Sequence, residues 1–313
     1  MKLLAYTDGS EASIKAVHFA AELKRRLSGE MAVITVRSGT HATETPPPVG
    51  IETPLQHRQA LGPGLQRLMS TAEQMIGTGS LAPEPNVTIR DMSHGYLFVC
   101  RTPSGERVPF YECFGHFIGA LNQEIDRHGH NLLLIAPPRR SSLRRLVVGD
   151  TTRKLALDLH CSVLVVRGGG PDSRFVVCAD GSPSARRQFP MIRHLLPAIR
   201  RPLELVWVRK PETSPEEAQT AEACLHHAVN WLETCDKSGP IHRLEGTGVA
   251  EKILEVAGSD AVITMGASLR HDVYRRMRGS LPMEVLARTE SSLLLVKLPP
   301  EADDDFFKDP FTC

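Results

Sequence analysis

The stretch MGASLRHDVYRRMRGSLPMEVL, Met265 to Leu286, holds residues whose types and spacing can do chemistry. An apolar run ends at Gly266. Arg270, Arg275, Arg276 and Arg278 follow, and Gly279-Ser280 stand ahead of a helical pattern. The first N–H groups of a helix are unpaired and carry a partial positive charge, so such a place favours an anion. Glycine lets a backbone approach a phosphate closely. Ser280 is a good N-cap, and Pro282 is tolerated in a first helical turn. Asp180 ends an apolar run elsewhere in the chain. A carboxylate at the C-terminal edge of an open α/β sheet sits where such sheets bind ligands. The competing reading of Asp180 is an Asp-Gly turn that caps the next helix.

A second stretch, IAPPRRSSLRRLVVGDTTRKL from Ile135 to Leu155, has the same outline with altered chemistry. Pro137 and Pro138 stiffen it, and Asp150 follows Gly149. Aspartate caps a helix well, but it brings its own negative charge to the place a phosphate would take. This first site therefore reads as degenerate. Both stretches are basic in a chain whose net charge is only +1, a local clustering that favours an anionic ligand.

Other chemistries find little footing. There is no HExxH, no Walker A loop and no GxGxxG after a strand. The histidines form no spaced cluster, and His128, His130, His226 and His227 read as surface residues. The seven cysteines are scattered singly, without metal-ligand spacing, and read as reduced thiols used mostly in packing. No metal site and no catalytic residue follows from these residues. Near-neutral charge argues against nucleic acid as a partner. No apolar run is long enough to cross a bilayer, and no signal peptide pattern opens the chain, so a cytoplasmic location is expected.

The elements that must position these residues come from an internal repeat. LLAYTDGSEAS at Leu3–Ser13 matches VVCADGSPSA at Val176–Ala185, each an apolar run closed by Asp-Gly-Ser. MAVITVR (Met31–Arg37) matches LELVWVR (Leu203–Arg209), and NLLLIAPP (Asn131–Pro138) matches DAVITMGA (Asp260–Ala267). Each copy ends in a strand pattern, SVLVVRG at Ser162–Gly168 and SLLLVKL at Ser292–Leu298. Strands alternating with helical patterns call for βαβ units and a parallel sheet, whose strands are continuously apolar because helices cover both faces. The boundaries fall at residues 1–168 and 174–300, joined by GGGPDS, with an acidic and aromatic tail at 301–313. The offset between copies is 172 positions for Asp8 and Asp180 but 130 for Ala136 and Gly266, so the first copy carries 42 extra residues. They fall in a Pro/Thr loop at Ser38–Pro54 and in an aromatic-rich β-hairpin at about residues 94–114.

Taken together, these pieces resemble the universal stress protein family in its tandem two-domain form. The resemblance implies an α/β fold of two repeated domains, each a five-stranded parallel open sheet flanked by helices, Rossmann-like in outline. It implies ATP or AMP as ligand, with Mg²⁺, and pairing through the final strands. Nucleotide-binding members carry Gly-x-x-Gly, nine residues, then Gly-Ser. The second copy keeps Gly266, Gly279 and Ser280 of that pattern but has Leu269 at the second glycine. The first copy has Ala136 and Arg139 at the glycines and Asp150 at the serine. By the same alignment Asp180 and Val208 become nucleotide contacts. The expected role is a stress-response regulator that binds adenine nucleotide in its second domain, self-associates and meets a further protein partner. The alternative is a scaffold of the same fold that acts through protein interfaces.

Overall fold

The computed structural model describes residues 1–39, 47–84, 86–137, 158–267 and 281–297. Of these, the residues up to 137 with Asp158–His160 form one compact unit, and the residues from Cys161 onward form the other. Residues 138–157, 268–280 and 298–313 lie outside this description, and with them Leu269, Gly279, Ser280, Arg139, Asp150 and the tail.

The first unit begins β1 (Lys2–Tyr6), α1 (Glu11–Leu27), β2 (Glu30–Arg37) and β3 (Glu52–Pro54), then α2 (Pro63–Gly77). It continues with β4 (Asn86–Thr88), β5 (Arg90–Met92), β6 (Gly95–Arg101), β7 (Arg107–Phe114), α3 (Phe117–His128) and β8 (Leu132–Ile135). β1 is a parallel neighbour of both β8 and β2, and β2 pairs in parallel with β7. β6 then runs antiparallel to β7, and β5 antiparallel to β6, while β3 and β4 form a small separate pair.

The aromatic hairpin is therefore an integral part of the first sheet. Its second strand is itself the parallel neighbour of β2, and its first strand extends the sheet. The reason is its alternation, which buries Phe98, Cys100, Val108 and Phe110 on one face, while Cys113 is buried on the other. Phe98 and Phe110 stack with ring centroids 4.8 Å apart, and Tyr96 meets Phe114 edge-on at 6.0 Å. Each large apolar side chain so buried contributes about 1.5–3 kcal/mol.

The second unit contains β9 (Ser162–Val165), β10 (Phe175–Cys178), α4 (Pro183–Arg186), α5 (Gln188–Leu195) and β11 (Leu203–Arg209). After them come α6 (Pro215–Thr234), β12 (Ser238–Glu245), α7 (Val249–Ala257), β13 (Val262–Gly266), α8 (Leu281–Arg288) and β14 (Ser292–Val296). Five strands are parallel, in the order β12, β11, β10, β13, β14, as the apolar runs require. β12 is the half-exposed edge, and it carries Pro240, which a central strand would not accept. β9 is added antiparallel to β14, with Leu293 opposite Val165 and Leu295 opposite Val163. The strand that closes the first repeat in sequence thus meets the strand that closes the second, inside the second compact unit. Arg167 ties the corner, donating from Nη1 to the Thr289 carbonyl at 2.5 Å.

The helices start where short polar side chains can accept backbone N–H groups. Ser10 caps α1 by accepting from Ser13 N, and Ser214 with Glu217 makes a reciprocal capping box on α6. Their apolar faces cover the sheets, with Phe189 and Trp231 meeting edge-on at 6.2 Å over the second.

Two readings need correction. His130 is buried, not on the surface. Cys100, Cys113, Cys161, Cys178 and Cys224 are free thiols, but Cys235 is disulfide-bonded.

Candidate functional site

In the second unit a cleft of ≈ 1000 Å³ opens at the C-terminal ends of β10, β11 and β13. Parallel strands end there together, so backbone groups and loop side chains converge on one edge. The cleft brings together Asp180, Val208 and Gly266, although 86 positions separate the first from the last. The remaining expected contacts, Gly279 and Ser280, lie outside the described residues, but Leu281 and Pro282, which follow them, line the cleft.

Asp180 follows β10 directly. Its Oδ1 accepts the Ser182 N–H at 3.0 Å, an Asx turn that starts α4, and Ser182 Oγ in turn accepts from Ala185 N at 3.2 Å. The turn reading and the ligand reading are thus compatible, since the turn engages one carboxylate oxygen. Burial, then the neighbouring Asp180 charge, push the Cys178 thiol up from its ordinary range. That thiol is inert packing at the cleft floor. Val208 extends beyond the end of β10, whose last residue, Cys178, pairs with Val206. Its side chain is buried. Gly266 ends β13 against Ser184 of α4, so its lack of a side chain answers to helix packing as well as to any ligand.

Sequence reasoning missed the polar wall. Arg186 and Lys210 line the cleft, as do Glu212, Glu216 and Glu217. The signal was present in Ser214 with Glu217, a capping box that fixes the start of α6 beside the strand edge. A smaller hollow of ≈ 300 Å³ lies between α6 and the β11–β12 edge. Its charged groups serve each other, with Arg243 Nε 3.0 Å from Glu222 Oε1.

At the matching edge of the first unit, polar side chains are engaged within the chain. Asp8 Oδ1 accepts the Ser10 N–H at 2.9 Å. Burial acts to raise the Asp8 carboxyl, but hydrogen bonds from Ser10, Ser13 and the backbone outweigh it and hold the group below the usual carboxylate range. Arg37, at the position equivalent to Arg209, pairs with buried Glu112 at 3.3 Å and lies over the Phe114 ring at 5.5 Å. β7, the first unit's counterpart of β12, supplies both Glu112 and Phe114.

No described helix is long and apolar enough to cross a membrane. Comparison with known proteins agrees with the architecture. The sequence profile of the Universal stress protein family matches residues 1–167. No curated protein matches the sequence. Among solved structures, a functionally unknown protein of Pseudomonas aeruginosa PAO1 superposes with a TM-score of 0.60 at 13% identity. That match covers 98% of this chain and 95% of the other. A universal stress protein from Archaeoglobus fulgidus DSM 4304 gives a TM-score of 0.57 at 13% identity, covering 95% and 98%. At that identity the likeness speaks for the fold. With more than half of its length matched by the family profile, the chain belongs to the universal stress protein family.

Proposed function

We propose that this stress-response protein binds one adenine nucleotide in the cleft of its second unit, and that its first unit does not. The observation that carries the reading is the convergence of Asp180, Val208 and Gly266 on one cleft at the strand C-termini. Val206, Val208, Ile253 and Met265 offer an apolar strip for the base. The free oxygen of Asp180 offers an acceptor for a ribose hydroxyl. Lys210 and Arg186 suit the phosphates, and the acidic wall of Glu212, Glu216 and Glu217 favours the Mg²⁺-bound form over the free polyanion. In the first unit, Arg37, Glu112 and Phe114 occupy the corresponding edge.

Calorimetric titration with ATP and AMP in Mg²⁺ tests the proposal. One nucleotide per chain is expected, with Asp180→Asn weakening it about tenfold, the scale of one hydrogen bond to a charged group. Asn keeps an acceptor for the Ser182 N–H, so the turn survives the change. Gly279→Asp is expected to abolish binding. No heat from the parent protein, and no nucleotide released when it is denatured, overturns the proposal and leaves a scaffold acting through its surfaces.

A further inference from the structure

Away from the cleft, three side chains that ligate metals converge in the first unit. His94 lies in the turn between β5 and β6, Cys113 on β7 and Glu124 on α3. One ligand atom from each lies within 4.8 Å of the other two. The hairpin register makes the meeting. Gly95 is opposite Cys113, and Phe114 N donates to the His94 carbonyl at 2.9 Å. A β-carbon on Gly95 would fall 1.7 Å from the Glu112 carbonyl oxygen, so only glycine lets the turn lie flush on β7. Cys113 and the Glu124 side chain are fully buried, and the His94 side chain is 13% exposed.

The hydrogen bonding around His94 is in conflict. Its Nε2 lies 2.7 Å from Glu124 Oε1 and 2.8 Å from Arg127 Nη1, and that Nη1 is 3.0 Å from the same Oε1. If Nε2 carries the proton it serves Glu124 but turns an N–H toward a guanidinium. If it is bare it accepts from Arg127 but turns a lone pair toward a carboxylate. A cation coordinated by both Nε2 and Oε1 removes the conflict. Arg127 now supplies positive charge at that point, and its side chain, 39% exposed on the outside of α3, is free to leave toward solvent. The surroundings already hold the ligands as a metal site requires. His94 Nδ1 is 3.0 Å from Ser93 Oγ, a hydroxyl able to accept a hydrogen bond from Nδ1–H when Nε2 is given to a metal. His128 Nε2 lies 3.3 Å from Glu124 Oε2, but that buried oxygen receives no hydrogen bond among the described residues and is left with unused ligand capacity.

We propose that His94 Nε2, Cys113 Sγ and Glu124 Oε1 form a Zn²⁺ site, with the Arg127 guanidinium standing in for the ion in the metal-free protein. Mixed nitrogen, sulfur and oxygen donors suit Zn²⁺, whereas Mg²⁺ and Ca²⁺ take oxygen ligands. Three protein ligands leave the fourth tetrahedral position to water. On binding, Cys113 loses its thiol proton to solvent and His94 keeps its proton on Nδ1, so thiolate and carboxylate balance the two positive charges. The ion would pin the hairpin turn to α3. This site is independent of the nucleotide reading.

Co²⁺ is the probe, because its visible spectrum reports tetrahedral geometry and thiolate ligation. The expected result is one Co²⁺ per chain with a thiolate-to-metal charge-transfer band, displaced by Zn²⁺. Cys113→Ser should remove the band, and Ser93→Ala should weaken binding about tenfold, the scale for a lost outer partner. Arg127→Ala, checked for folding because it strips buried Glu124 of a counter-charge, should bind at least tenfold more tightly, because the competing cation is gone. Binding without the charge-transfer band, or a band that persists in Cys113→Ser, overturns the proposal. So does an Arg127→Ala protein that is folded and binds no more tightly than the parent.

Discussion

Gly266 faces the carbonyl oxygen of Ser184 so closely that a β-carbon on it would fall 1.6 Å from that oxygen. The other atoms it would meet, Ser184 C at 2.4 Å and Ala185 N at 3.2 Å, are also backbone, so no side chain can turn aside. The end of β13 and the start of α4 are held together by the absence of a side chain. Gly266→Ala must push the two elements apart at the mouth of the cleft. A loss of about 2–4 kcal/mol in urea unfolding is expected, beyond ordinary overpacking because backbone must move. Stability within 0.5 kcal/mol of the parent, the scale of a neutral surface change, would mean that the glycine serves only a ligand.

That relationship shows where the sequence speaks clearly and where it is silent. The repeat of apolar runs closed by Asp-Gly-Ser announced the parallel strands, because strands covered on both faces have little choice of composition. Val208 came from the family alignment, whereas Asp180 and Gly266 were legible as neighbours because each stands at or just past the end of an apolar strand. The cost of a side chain at Gly266 was not, since it depends on how closely one helix start approaches one strand end. The hairpin was visible as a hairpin, but β7 joins β2 in parallel, and a turn signal does not reveal which older strand a hairpin will extend. His94, Cys113 and Glu124 escaped notice for a like reason. They are 19 and 11 positions apart, no ligand motif has that spacing, and it takes the hairpin register together with the placing of α3 to bring them together.

At the end of the second sheet opposite the cleft, Arg174 and Glu204 form a fork. Arg174 Nη1 reaches the two Glu204 oxygens at 2.9 and 3.2 Å, and Nη2 donates to the Val256 and Ala257 carbonyls at 3.3 and 3.0 Å. Glu204 is only 9% exposed, and His242 Nε2 lies 3.0 Å from its Oε2. Glu204→Ala leaves the half-buried guanidinium with only the Asp260 carboxylate, 3.8 Å from Nη2, and a loss of about 2 kcal/mol is expected. In a double-mutant cycle with Arg174→Met the two losses should be non-additive by more than about 1 kcal/mol. Additive losses would show that each side chain stabilises the fold separately through packing.

His130 closes α3 onto β8 with its ring buried and neither ring nitrogen hydrogen-bonded among the described residues. Burial, then the charges of His128 and Lys2, push its pKa down from 6.5 to about 4, with Glu30 opposing. In the unfolded chain the ring protonates as pH falls through its ordinary range, while in the folded protein it stays neutral until about pH 4. Between those values the unfolded state binds the extra proton, so stability is complete above about pH 6.5 and is lost as pH falls toward 4. The slope is about 1.4 kcal/mol per pH unit at its steepest, or roughly 3 kcal/mol across the window. Equilibrium unfolding of the parent and of His130→Phe, measured from pH 7.5 down to about pH 4.5, isolates this contribution. The variant keeps a ring in the cavity and has nothing to protonate, so its stability should fall less steeply by that amount. Parallel curves for the two proteins would place the acid sensitivity elsewhere in the chain.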